Sequence, residues 1–154
     1  MKVPQIPIKT RLKEEVSGMF GQYTHSVDAK GRLFVPAKLR DELGDSFYLM
    51  IGTKNSLLVF PEARMAKAME SFNASPITRD KRHLLANVAK IEPDKQGRFV
   101  VPPTLRNYAH LTGDVTFLGQ GDYAEIWDAE TYASDESGWL EEGNLDEALK
   151  GLWP

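Results

Sequence analysis

The segment DAKGRLFVPAKLR (Asp28–Arg40) returns sixty-six residues later as DKQGRFVVPPTLR (Asp94–Arg106). Seven positions coincide: Asp28 with Asp94, Gly31 with Gly97, Arg32 with Arg98, Val35 with Val101, Pro36 with Pro102, Leu39 with Leu105 and Arg40 with Arg106. A chain that builds one small basic unit twice, each time with a fixed arginine, is more typical of a binding surface than of a single catalytic centre. Each part of D-x-x-G-R-φ-φ-V-P has a physical reading. Glycine at the fourth place supplies the positive φ of a tight hairpin turn. Aspartate at the first place accepts hydrogen bonds from backbone N–H groups two or three residues on. The arginine stands at the root of the returning strand, where it either pairs with the aspartate as a structural brace or projects outward as a contact. The first copy adds Lys30 in the turn and Lys38 and Arg40 after Pro36. The second has Lys95, Arg98 and Arg106, with Gln96 and Thr104 in place of Lys30 and Lys38. The first half is therefore expected to be the stronger reader of a polyanion.

Outward from the repeat, GQYTHSVD reads as a strand with Tyr23 and His25 on one face, ending in the polar turn at Asp28. Arg32–Pro36 is a short strand that Pro36 stops, and AKLRDEL continues as one or two helical turns ending near Gly44. SFYLMIG and SLLVFP are strands around the turn Gly52–Asn55. EARMAKAMESF is rich in good helix formers, with Met65, Ala68, Met69 and Phe72 at helical spacing. Thr78 is placed to cap a second helix running to about Ala89. The second half replays the first through ANVAKIEPD, RFVVP, PTLRNYAHL, DVTFLG and YAEIWD. Each half is a β-β-α-β-β unit of about fifty residues, near the lower limit for independent stability. The two are expected to interleave into one barrel-like core. The boundaries that follow are a lead-in at 1–18, a first unit at 19–72, a connecting helix at 73–88, a second unit at 89–135 and an acidic tail at 136–154.

Composition narrows the function classes. The chain has 154 residues, 42% hydrophobic and 27% charged, as in ordinary globular proteins. It has no apolar run of membrane-spanning length and no secretory h-region. Zero cysteines exclude disulfides, thiolate metal sites and a cysteine nucleophile. The three histidines, His25, His83 and His110, are too scattered in sequence to suggest a metal centre. No nucleophile–base pair or phosphate-cradling glycine loop suggests an enzyme, and no cofactor is expected. The net charge of -3 hides an asymmetry: residues 122–154 hold ten carboxylates against Lys150 alone, so the rest of the chain is net basic. A basic body suggests a polyanion partner, against the plainer reading of a solvated acidic tail.

MFGQYTHSVDAKGRLFVPAKLR, DKQGRFVVPPTLR and YAEIWD together resemble the MraZ family of bacterial regulators of division and cell-wall gene clusters, within the AbrB-like swapped-hairpin superfamily. The resemblance covers about Met19 to Trp139. It implies an α+β, mostly β fold of two tandem units in a pseudo-twofold swapped-hairpin barrel. It also implies a cytoplasmic, nucleoid-associated protein whose D-x-x-x-R turns face double-stranded DNA. The residues it puts there are Asp28, Lys30 and Arg32, then Asp94 and Arg98; Lys38 and Arg40 extend the basic face, and Lys95 and Arg106, the other bases of the second copy, are taken with them as DNA-binding. Family members assemble into rings on repeated promoter sites, so a ring homo-oligomer is implied, with no membrane and no small-molecule ligand. They begin near Met19-Phe20, which makes residues 1–18 an extension or the product of a misplaced start. A rival reading is an antitoxin-like protein that binds a protein partner as well as DNA, since related swapped-hairpin folds serve in that way.

Overall fold

The computed structural model describes residues 16–153, so most of the expected lead-in lies outside the described residues. The chain runs through β1 (Gln22–Ser26), β2 (Arg32–Phe34), a 3₁₀ turn (Ala37–Leu39) and α1 (Arg40–Leu43). There follow β3 (Phe47–Ile51), β4 (Leu57–Pro61), α2 (Glu62–Asn73) and α3 (Arg79–Ala86). The second half holds β5 (Ala89–Ile91), β6 (Arg98–Val100), α4 (Pro103–Tyr108), β7 (Asp114–Gly119) and β8 (Ala124–Asp128). The chain closes with α5 (Ala129–Glu142), α6 (Leu145–Leu149) and a 3₁₀ turn (Lys150–Leu152).

The local signals act as expected in most places. Met65 is buried on α2 with Ala68 and Met69 against the same cluster, three members of the helical stripe read from the sequence; the fourth, Phe72, lies outside that cluster, half-buried with Lys81 Nζ 5.0 Å from its ring centroid. Thr78 Oγ1 accepts the Lys81 amide at 3.1 Å and caps α3. That helix stops at Ala86, three residues earlier than expected. Asn87 Nδ2 donates to the His83 carbonyl at 2.9 Å, and Ala89–Ile91 joins β3 as a strand. A ladder against a buried neighbour outweighs the helix propensity of an ANVA segment. The segment after β8 also departs from the expected division at residue 135, because α5 runs unbroken from Ala129 to Glu142.

The two halves exchange strands. The main sheet has the order β1-β7-β8-β4-β3-β5, all antiparallel. β1 of the first half lies on β7 of the second, with Tyr23 opposite Phe117, and β5 of the second lies on β3 of the first, with Phe47 opposite Ile91. The axis of pseudosymmetry passes between β4 and β8, where Leu57 faces Ile126 and Val59 faces Ala124. β2 and β6 pair only with each other, as a separate two-stranded ribbon. The fold is α+β, mostly β, with the two halves interleaved as expected, and the barrel-like core is built on an open six-stranded sheet with β1 and β5 at its edges. The chain leaves the sheet at Asp28 and at Asp94, so the strands that would have continued each edge meet at the axis instead.

The ribbon lies over one face of the sheet. Its inward side chains Leu33 and Phe99 join Phe47, Leu49, Leu57, Val59, Val115, Phe117 and Ile126 in the main core, with Phe99 edge-on to Phe47 at 5.4 Å between centroids. On the other face α2 covers Met50 and Phe60, and α5 packs on β7 and β8 beside buried Trp127. Burial on both faces explains why β3, β4 and β7 read as nearly continuous apolar runs rather than alternating ones. No described helix is long and apolar enough to cross a membrane.

Candidate nucleic-acid interface

Each turn is built around its aspartate. Asp28 Oδ1 accepts the amides of Lys30 and Arg32, both at 2.9 Å, and Asp28 Oδ2 accepts Arg32 Nε at 2.6 Å. Asp94 repeats this atom for atom: Oδ1 takes the amides of Gln96 and Arg98, both at 2.9 Å, and Oδ2 takes Arg98 Nε at 3.0 Å. The turns close through Gly31 and Gly97, at φ +78° and +81°, whose amides reach the Asp28 and Asp94 carbonyls. Hydrogen bonding from the Arg32 backbone amide, ahead of its guanidinium and the Lys30 amide, holds the Asp28 carboxyl below its ordinary pKa. The Asp94 carboxyl is held low in the same way by the Arg98 amide first, then by the Gln96 amide and the Arg98 side chain. The structural brace considered from the sequence is thus present in both copies. It occupies only the Nε edge of each guanidinium.

The ribbon brings the two arginines together. Arg32 stands opposite Val100 and Phe34 opposite Arg98, while the pair between them, Leu33 and Phe99, points into the core. Arg32, Phe34, Arg98 and Val100 therefore share the outer face, with the arginines as diagonal neighbours about 7–8 Å apart. The turns sit at opposite ends of the ribbon and are tied to it crosswise. Val35 N–H donates to the Gly97 carbonyl at 2.8 Å and Val101 N–H to the Gly31 carbonyl at 2.9 Å. Lys30 and Lys95 are exposed on the turns themselves.

Arg40 and Arg106 are placed where the sequence did not put them. Arg40 was expected to extend the basic face of the first turn. Its Nη2 instead donates to the Gln96 carbonyl of the second turn at 2.6 Å, and its Nε to the Val35 carbonyl at 3.3 Å. It lies so close over Gly97 that a Cβ there would stand 2.5 Å from Nε and 2.6 Å from Nη2. Arg106 occupies the equivalent place over Gly31, where an added Cβ would collide with its guanidinium. Strand exchange is the cause: the helical turn after each ribbon strand lies beside the other half's loop. Each turn thus gathers its own lysine and arginine and lies beneath an arginine from the other half, which in the second turn is also bonded to it. Lys38 is exposed on the 3₁₀ turn beyond the ribbon.

What distinguishes the copies is the flank of each turn. Beside Asp94, Lys95 and Arg40 the cleft is lined by Asp41, Asp45 and Glu92. The equivalent cleft beside Asp28 and Arg106 is lined by Asn107, His110, Leu111 and Thr112 in place of those acids. The sequence reading overlooked these acids, and it overlooked Phe34 and Val100, which remain 42% and 54% exposed on the arginine face. Strand alternation, which puts residue 34 on the side of residue 32 and residue 100 on the side of residue 98, is the signal that could have found the apolar pair.

The chain matches the family described as "MraZ protein, putative antitoxin-like" twice, over residues 19–87 and 84–148. Among curated relatives, a Carboxydothermus hydrogenoformans protein is 40% identical over 117 residues, covering 73% of this chain and 82% of that protein. A Finegoldia magna protein is 36% identical over 139 residues, covering 85% and 94%, and a Leuconostoc mesenteroides protein is 40% identical over 119 residues, covering 74% and 83%. All three are named "Transcriptional regulator MraZ". Two matched units on a strand-exchanged core, with relatives of this identity along most of the chain, place it in the MraZ family of transcriptional regulators.

Proposed function

We propose that this chain binds double-stranded DNA sequence-specifically through the outer face of the β2–β6 ribbon. It does so in the cytoplasm, on the nucleoid, to regulate transcription from the promoter of a division and cell-wall gene cluster. The observation that carries the reading is the pair of adjacent arginines, each anchored at Nε by its own aspartate. Among the described residues that anchor leaves the Nη1–Nη2 edge of each guanidinium without a protein partner, and this is the edge that meets guanine O6 and N7 end-on in the major groove. A two-stranded ribbon fits that groove. Lys30, Lys95 and, at the rim, Lys38 supply phosphate contacts that release counterions. Asp28 and Asp94 act through the arginines they orient, since a carboxylate facing a phosphate would be repelled. Arg40 braces the second turn through the Gln96 carbonyl, and Arg106 lies over Gly31 of the first.

One subunit presents one short ribbon, so strong binding requires several copies on repeated sites, where effective concentration supplies the gain. A ring-shaped homo-oligomer meets that requirement. Exposed Trp139, Leu140, Leu145, Leu152 and Trp153 at the C-terminal end supply apolar surface for contacts between copies. The test is a footprint and fluorescence anisotropy on the duplex upstream of the chain's own gene, with size exclusion alongside. Protected short direct repeats are expected, and Arg32→Ala should abolish binding with the oligomer intact. Unchanged affinity in Arg32→Ala would remove Arg32 from the interface, and no protection by the wild type would overturn the DNA reading itself.

A further inference from the structure

Large apolar side chains on a protein surface are common and mostly need no explanation. Phe34 and Val100 are different because of where they stand. They occupy the two remaining corners of the four-residue patch whose other corners are Arg32 and Arg98. The core does not need them, since Leu33 and Phe99 fill the inner side of the ribbon with 0% and 5% exposure. Around them are Lys30, Arg32, Lys95 and Arg98, so the apolar pair is ringed by positive charge. A second copy docked face to face would press one set of Lys30, Arg32, Lys95 and Arg98 onto another, and that like-charge contact disfavours self-association as the use of this surface. A polyanion with an apolar group at the centre of its contact fits instead.

On the floor of the major groove the one such group is the 5-methyl of thymine. Resting on the proposal that the ribbon lies in that groove, we infer that Phe34, with Val100 as its diagonal partner, is a specificity-determining residue that reads the thymine methyl. The flanking arginines supply hydrogen bonds and charge. The apolar pair gains from excluding water over a methyl group and gains nothing from a cytosine or a uracil at the same place.

Two randomised duplex pools, identical except that one carries deoxyuridine in place of thymidine, separate the possibilities. Wild type and Phe34→Ala each select from both pools. The selected duplexes are then measured by anisotropy in thymine and uracil forms, with Arg32→Ala and the mass of each variant in solution as references. Wild type should select a site with a required thymine and lose about fourfold per contacted methyl when uracil replaces it. Phe34→Ala should keep the rest of the motif, lose the thymine requirement and bind both forms alike. Equal binding of both forms by the wild type, with Arg32→Ala defective, would overturn the role of Phe34 and leave the ribbon as the DNA face. A changed mass for Phe34→Ala with its thymine preference intact would make Phe34 a subunit contact and overturn the inference. Failure of wild type to enrich any sequence would count against the DNA reading on which it rests.

Discussion

Gly97→Ala tests the crosswise bracing of the turns directly. Gly97 sits at φ +81°, where a side chain costs about 1–2 kcal/mol from its clash with the following carbonyl. The new Cβ would also stand 2.5 Å from Arg40 Nε, so the guanidinium must move and give up its 2.6 Å bond to the Gln96 carbonyl. Hydrogen bonds to charged groups contribute about 1.5–3 kcal/mol, and partial exposure of Arg40 favours the lower end. Gly97→Ala should therefore destabilise by about 3 kcal/mol and Arg40→Ala by about 1.5 kcal/mol. The double variant should also cost about 3 kcal/mol, because with the guanidinium gone only the backbone strain remains. Gly121, at φ +85° with open space where its Cβ would go, serves as the strain-only control. Urea unfolding at one fixed protein concentration reads all four values, since association would shift the midpoints. Simple additivity in the double variant, or a Gly97→Ala cost no larger than that of Gly121→Ala, would refute the brace.

Two further outcomes are expected. Asp28 and Asp94 have folded pKa values depressed below the ordinary 3.8 by the amides they accept, so their contribution is fully present above 3.8 and is lost as pH falls through the lowered value. Carboxyl ¹³C titration should place both midpoints below 3.8, and a midpoint at or above 3.8 would contradict the hydrogen bonding of the turns. Lys81 is 8% exposed and its Nζ donates to the carbonyls of Phe72 and Ser75 and to Ser75 Oγ, closing the C-terminal end of α2. Lys81→Met leaves those carbonyls unsatisfied and should cost about 2 kcal/mol in thermal or urea unfolding with secondary structure retained, whereas wild-type stability would show that water replaces the ammonium.

Much of the local structure was legible because its causes are local. The turn chemistry of Asp28 and Gly31 acts over four residues, the stripe on α2 over a dozen, and Thr78 caps the helix that begins one residue later. Strand partners were not legible, since alternation tells which side chains share a face and says nothing of which strand lies alongside. That gap accounts for the misplaced arginine. Read along the chain, Arg40 belongs to the first motif. Once β1 is given to β7 and β5 to β3, the helical turn that follows β2 faces the second loop, and Arg40 goes with it. The open sheet has the same origin, because two short ribbon strands pairing at the axis leave nothing to join the edges β1 and β5. The apolar pair on the arginine face was within reach of the sequence, since it needed only the strand period applied to RLF and RFV.

Exchange also determines how the two copies of the motif can diverge. The aspartate, glycine and arginine of each turn are the same in both, and each turn lies against an arginine of the opposite half, Arg106 over Gly31 and Arg40 over Gly97, which ties the two copies together there. The clefts beside the turns are under no such tie. At equivalent positions one copy has Asp41 and Asp45 where the other has Asn107 and Leu111, and Glu92 adds a third acid on the same side. A phosphate nearing the second turn would have those carboxylates in the adjoining cleft, where salt screens charges only beyond a Debye length of about 8 Å, while the cleft beside the first turn has no acid at the three equivalent positions. The greater strength expected of the first turn thus has a second cause beside the extra bases counted along the sequence, of which Lys30 and Lys38 are exposed on the first half. On the proposed DNA reading, the first turn is the stronger contact also because of what does not flank it. The second, with the same arginine held in the same way, is left to contribute more to register than to affinity.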